Sequence, residues 1–173
     1  MTLEDEEPVG PSRFALASLF GLIVVVSLAG LLYRPPADSS MSATVAAAAY
    51  RREAGALADR GLVLAPGWKW PRGDVLFPRT APDGSPIGYG PAAGQSQADL
   101  YWFYSWARRA TSKALTPAAR RAALEELLRV RETVYYRRLI PDTRRYLDQE
   151  LAAALKGDLS RLRTDVQSNA PAP

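Results

Sequence analysis

The alternation of apolar and polar positions changes character three times along this chain. From Phe14 to Tyr33 there is no alternation: FALASLFGLIVVVSLAGLLY is twenty residues without a charge, twelve of them Leu, Ile, Val or Phe. As a helix this segment covers about 30 Å, the hydrocarbon thickness of a bilayer. Its twelve large apolar residues contribute roughly −4 to −7 kcal/mol of insertion free energy. Arg13 and Arg34 bracket it, and Tyr33 stands at the position of an interfacial aromatic. A cleaved signal peptide is the rival reading. Such peptides carry a shorter apolar core behind a basic leader, whereas Met1 to Arg13 is acidic, so the segment reads as an uncleaved single-pass transmembrane helix. Ala17 and Gly21 form a small-xxx-small pair on it, a candidate contact for a second helix.

Past Tyr33 the pattern becomes that of a small domain. Residues 34–64 read as a linker followed by an Ala-rich helix, ATVAAAAYRREAGALADR, with Ser42 among its candidate N-caps and Gly61 as its stop. Residues 65–95 carry six prolines and six glycines among Trp68, Trp70, Phe77 and Tyr89. This is a Pro/Gly-rich aromatic loop or a short β-hairpin, in which Val75–Phe77 pairs with Ile87–Tyr89 across the turn Pro82-Asp83-Gly84. Four aromatics give the loop apolar area to bury, so it is expected to be ordered and to pack on the helix that follows.

Residues 96–167 read as helical. Ser96 and Asp99 resemble a capping box, opening a helix that runs to about Lys113. Thr116-Pro117 is an N-cap with proline at the first helical position. Leu124, Leu127, Leu128, Val134, Tyr135 and Leu139 form one amphipathic stripe, and Pro141 breaks or kinks it. Asp142 or Thr143 restarts a helix that Gly157 stops. Leu159, Leu162 and Val166 mark one more short helix. Residues 1–13 and 168–173 are expected to be disordered tails. The fold class is therefore mainly α: one N-terminal transmembrane helix, then a small helical domain.

Charge and chemistry narrow the function. The chain's net charge is +4, but residues 101–173 alone hold 14 Lys and Arg against 8 Asp and Glu. There is no histidine and no cysteine in the sequence, which excludes Ser-His-Asp and Cys-His catalysis, zinc–thiolate and zinc–histidine sites, and disulfides. No phosphate-cradling glycine motif is present either, and no cofactor or metal is implied. The remaining candidates for acid–base work are carboxylates. Glu125 and Glu126 diverge by 100° on a helix, whereas Asp74 and Asp83 approach only if the hairpin forms.

The densest feature is Tyr101-Trp102-Phe103-Tyr104 with Trp106. Leu100, Phe103, Ala107 and Ala110 share one helical face, and Trp102 and Trp106 share another. With the first face in the core, the Trp pair needs a partner: the Trp68-Lys69-Trp70 loop, the membrane interface, a sugar chain or another protein. Trp68, Trp70, Tyr101, Trp102 and Trp106 are accordingly the candidate interaction surface. Arginine pairs at 51–52, 108–109, 120–121, 137–138 and 144–145 suggest a nucleic-acid face, but acids at helical spacing, as in Glu125–Arg129 and Arg144–Asp148, cancel them locally.

The reading that results is a membrane-anchored, non-enzymatic interaction or scaffold subunit, an accessory component of a membrane or envelope complex. Its expected partners are membrane lipid and another protein, with nucleic acid disfavoured. The alternative is a cell-envelope glycan binder or carboxylate-dependent hydrolase. Lys and Arg are nearly balanced on the two sides of the span and leave its orientation open, with a lean toward an extracytoplasmic C-terminal domain.

Overall fold

The computed structural model describes residues 40–171. The apolar segment 14–33, and with it Ala17 and Gly21, lies outside the described residues, as does the acidic tail. Among the described residues no helix is long and apolar enough to cross a membrane. The described chain is mainly helical, with seven α-helices and no strand. These are α1 (Ala43–Asp59), α2 (Gly73–Leu76), α3 (Ala93–Thr111), α4 (Pro117–Leu128), α5 (Val134–Arg138), α6 (Pro141–Leu155) and α7 (Ser160–Asn169). A 3-10 turn, Arg129–Glu132, joins α4 to α5.

Local chemistry sets several of these boundaries as expected. The Ser42 hydroxyl accepts from the Val45 N–H at 3.4 Å and caps α1. Gly61 ends that helix at φ +72°, a conformation that suits a residue without a Cβ. Thr116 caps α4 by accepting from Ala119, with Pro117 in the first turn.

Helix α3 is the hub. It packs against α1, α4, α5 and α7. The closest approach is to α1, whose buried face is built of Ala43, Ala46, Ala47, Ala49 and Ala54. Small side chains there bring the two backbones together at Gly94. A Cβ at that position would stand 2.7 Å from the Tyr50 nitrogen and 2.8 Å from the Ala49 Cβ. The alanines of α1 therefore set an interhelical distance as well as a propensity.

Four expectations are corrected. Helix α3 begins at Ala93, so Ser96 lies inside it and Asp99 is no part of a capping box. The stripe from Leu124 to Leu139 is not one helix. Thr133 is extended (φ −85°, ψ 157°) and starts α5 afresh, its buried hydroxyl accepting from Tyr136. Pro141 is itself the first residue of α6, where its missing N–H costs nothing. In the loop, Val75 and Leu76 belong to α2 and not to a strand. The turn at Pro82-Asp83-Gly84 does form, with Gly84 at φ +82°, but the chain it reverses pairs Thr80 with Pro86. Phe77 and Tyr89 still meet, ring to ring at 5.2 Å.

Candidate functional site

The aromatic set resolves into a seal between the loop and α3. Consecutive helical residues point 100° apart, so Tyr101, Trp102, Phe103, Tyr104 and Ser105 are all buried only because α3 has neighbours all round. Trp102 is 0% exposed. Its indole N–H donates to the Val63 carbonyl at 3.0 Å, and that of Trp106 donates to the same oxygen at 2.8 Å. Ser105 adds a third tie: its hydroxyl accepts from the Ala65 N–H at 3.1 Å and donates to the Trp102 carbonyl at 2.7 Å.

The loop then turns back over the helix. Trp68 meets Tyr101 edge-on at 5.3 Å, and Trp70 lies 5.8 Å from Tyr101 and 6.0 Å from Tyr50. The structure thus brings together Trp68, Trp70 and Tyr101 on one side, and Trp102 and Trp106 around Val63 on the other. Trp68, Trp70 and Trp106 keep a partly exposed edge, whereas Tyr101 and Trp102 have none to offer. Burial pushes the Tyr50 and Tyr101 hydroxyls up from their ordinary range, so both stay protonated near neutrality.

The loop carboxylates are each held by a neighbour. Asp74 takes two hydrogen bonds from Arg72, which hold its carboxyl below the usual range. Asp83 accepts from the hydroxyl and the N–H of Ser85, with the same effect. Glu125 pairs with Arg121 at 3.1 Å, not with Arg129. Glu126 reaches Arg129 at 3.5 Å.

Beside Glu53, which pairs with Arg60 at 2.8 Å, two more acids are buried, Asp99 and Glu150, and Asp165 is half-buried. Asp99, 0% exposed, lies against α5, where one of its oxygens accepts the Tyr135 N–H at 2.7 Å. Its other oxygen has no hydrogen-bond partner among the described residues. Burial, seconded by the nearby Glu53 charge and opposed by the Tyr135 hydrogen bond, raises its pKa to about 7. Glu150 on α6 is raised to about 7 by burial and by Asp165. Asp165 on α7 is raised by burial, against hydrogen bonds from Asn169 at 2.7 Å and Tyr104 at 3.4 Å. A signal existed for Glu150: it lies three residues after Leu147 and four before Ala154, on the apolar face of its own helix.

The arginines divide into two groups. Several satisfy helix C-termini, where orphan carbonyls collect. Arg120 donates to the Ala110 and Ser112 carbonyls, Arg129 to those of Arg60 and Gly61, and Arg144 to those of Arg137 and Leu139. Asp148 consequently pairs with Arg131 at 2.9 Å and not with Arg144. The second group, including Arg137, Arg138 and Arg145, stands exposed around the corner between α5 and α6. Beside it is an open hollow of about 530 Å³ lined by Arg131, Pro141, Arg144, Arg145 and Asp148. Comparison with known protein families, with characterised proteins and with solved structures finds no match.

Proposed function

We propose that this chain is a single-pass, membrane-anchored, non-enzymatic interaction or scaffold subunit, an accessory component of a membrane or envelope complex. The observation that carries this reading is a juxtaposition. A twenty-residue uncharged segment stands just ahead of a small helical domain that packs its own aromatic loop onto its central helix. The anchor brings the domain to a bilayer, and the domain presents charged helical faces and the half-open edges of Trp68, Trp70 and Trp106 there.

The same geometry lends less support to the glycan-binding or hydrolytic alternative. A sugar platform needs open aromatic faces, and Trp102 has none. A hydrolytic pair needs one carboxyl group free to hold a proton, and both Asp74 and Asp83 have lowered pKa values under neighbouring donors.

Purification of the full chain in mild detergent tests the proposal. A stoichiometric protein partner is expected, and the association weakens with Ala17→Leu and Gly21→Leu if the span makes the contact. A monodisperse monomer without a partner overturns the reading. Retention on purified cell-wall polymer, lost in Trp68→Ala, restores the alternative. Reporters fused after Pro173 fix the side of the membrane that the domain occupies.

A further inference from the structure

We infer that the corner between α5 and α6 is a second membrane contact, one that docks on an anionic phospholipid surface. The inference begins with where the charge lies. Residues 129–145 hold six arginines against Glu132 and Asp142, a local net of +4, the same as the net charge of the whole chain. Two of these arginines, Arg129 and Arg144, reach helix-end carbonyls, and Arg131 pairs with Asp148 at the surface. The other three are exposed: Arg138, Arg137, which donates to the Glu132 carbonyl at 3.0 Å, and Arg145, which pairs with Asp142 at 2.8 Å. The N-terminus of α6, opening at Pro141, adds its partial positive charge to theirs.

Between these arginines stands Ile140, 46% exposed at the capping position of α6. A half-exposed β-branched side chain flanked along the chain by arginines suits a lipid interface: the apolar tip enters the headgroup layer while the cations meet phosphates. Nucleic acid would use the same cations but wants aromatic faces for stacking. The two tyrosines within this segment are only partly exposed. Tyr135 is half-buried, and Tyr136 donates its hydroxyl to Asp148 at 2.7 Å with the Arg144 guanidinium over its ring at 5.3 Å. Tyr146, just beyond, is 54% exposed, with the Arg161 guanidinium 5.9 Å from its ring centre.

The inference rests on the anchor reading only for the nearness of lipid. Six residues, 34–39, separate the predicted span from the described domain. Fully extended, they reach about 20–22 Å. The domain is thus held close to the bilayer, where even a weak surface contact is populated through a high effective concentration.

The sequence contains no cysteine, so one introduced thiol is labelled uniquely. The full chain carrying Ile140→Cys, labelled with a nitrobenzoxadiazole fluorophore, is reconstituted into phosphatidylcholine vesicles with or without phosphatidylserine in both leaflets. Emission is expected to shift to the blue only with phosphatidylserine and to return as salt is raised. The same label at Val75→Cys, on the exposed face of α2, is expected to stay unshifted. Replacing Arg137, Arg138 and Arg145 by Gln abolishes the shift, with affinity for the surface falling about fivefold per arginine. Circular dichroism on the labelled chains checks that they are folded, and the lipid and salt arms need no further variant. Equal emission in the two kinds of vesicle overturns the docking, and so does a shift indifferent to salt. A shift produced by an oligonucleotide and not by anionic vesicles reassigns the corner to nucleic acid. Carbonate extraction of the same membranes reads the anchor separately: protein extracted by carbonate refutes the anchor, and protein retained with no shift refutes only the docking.

Discussion

The indole N–H groups of Trp102 and Trp106, one turn apart on α3, donate to a single carbonyl oxygen, that of Val63. The two bonds fix the chain leaving α1 against the central helix, but the two residues are not equivalent. Trp102 is fully buried, whereas Trp106 keeps an exposed edge. Trp102→Ala is expected to cost about 3–5 kcal/mol, the range for deleting a large buried aromatic. Trp106→Phe leaves Val63 bonded to Trp102 and is expected to cost less than about 1 kcal/mol. Denaturant unfolding of the full chain in detergent, followed by circular dichroism, measures both.

Gly94 and Gly55 make a matched pair of opposite sign. Gly94→Ala places a methyl group against the backbone of α1, and the helices are forced apart at their closest approach. A loss of about 1–3 kcal/mol is expected, as for overpacking in a core. Gly55 lies within α1 with open space around it, so Gly55→Ala is expected to stabilise by up to about 1 kcal/mol. Thermal unfolding midpoints that move in the same direction for the two would refute this packing account.

Stability is expected to fall as pH rises from about 4 to about 7. Asp99 and Glu150 both have pKa values raised to about 7 in the folded chain, against ordinary values near 4 when unfolded. In that window the folded state keeps protons that the unfolded state has lost, so raising the pH favours unfolding; above about 7 the term levels off. The lowered pKa values of Asp74, Asp83, Glu132, Asp148 and Asp158 act in the opposite sense, but these groups titrate below the ordinary carboxylate range, outside this window. Urea midpoints are therefore expected to be higher at pH 5.5 than at pH 8, the pH values being choices on the two sides of the raised carboxyl range. Glu150→Gln removes one titrating group, and a gain on the order of 1–3 kcal/mol at pH 8 is expected from it. All four tryptophans lie between residues 68 and 106, so their fluorescence reports this domain alone. An unchanged pH slope in the variant would exclude Glu150 as a source.

Residues 68–90 are expected to exchange amide hydrogens slowly for a segment so rich in proline and glycine. The loop is tied by ring contacts to Tyr50 and Tyr101 and by turn hydrogen bonds such as Ile87 N–H to the Arg79 carbonyl at 3.0 Å. Tyr101→Leu removes the ring that both Trp68 and Trp70 pack against. Exchange around Trp68 and Trp70 should then rise several-fold while α6 and α7 stay protected. Fast exchange across the loop in the unmodified chain would mean that a partner, and not the domain itself, orders it.

Much of the architecture was legible because it depends on neighbours in sequence. Ser42, Gly61, Thr116-Pro117 and Gly157 each act within one helical turn, and a cap is decided by residues three or four apart. The turn at Asp83-Gly84 is local in the same way. Boundaries failed where the competing group was distant. Asp99 looks like the third residue after a cap, but its carboxylate serves the N–H of Tyr135, 36 residues further on. Thr133 looks like one more position in an amphipathic stripe until its hydroxyl, donating to the Val130 carbonyl and accepting from Tyr136, restarts the helix.

By itself the sequence determined the helical class, the apolar segment ahead of the domain, the basic surplus after residue 101 and the aromatic loop's need for cover. These follow from composition and from periods of three to four residues, which act on the chain before it has folded. Tertiary structure alone decided which aromatics would be sealed, which arginines would face inward and which acids would lose their water. Periodicity assigns a residue to a face of its own helix but says nothing of how many faces acquire neighbours. Helix α3 acquired them on every side, and that placed Tyr101 through Ser105 inside together. The arginines then sorted by which helix ends came within reach of a guanidinium, and those left outside made the corner around Ile140.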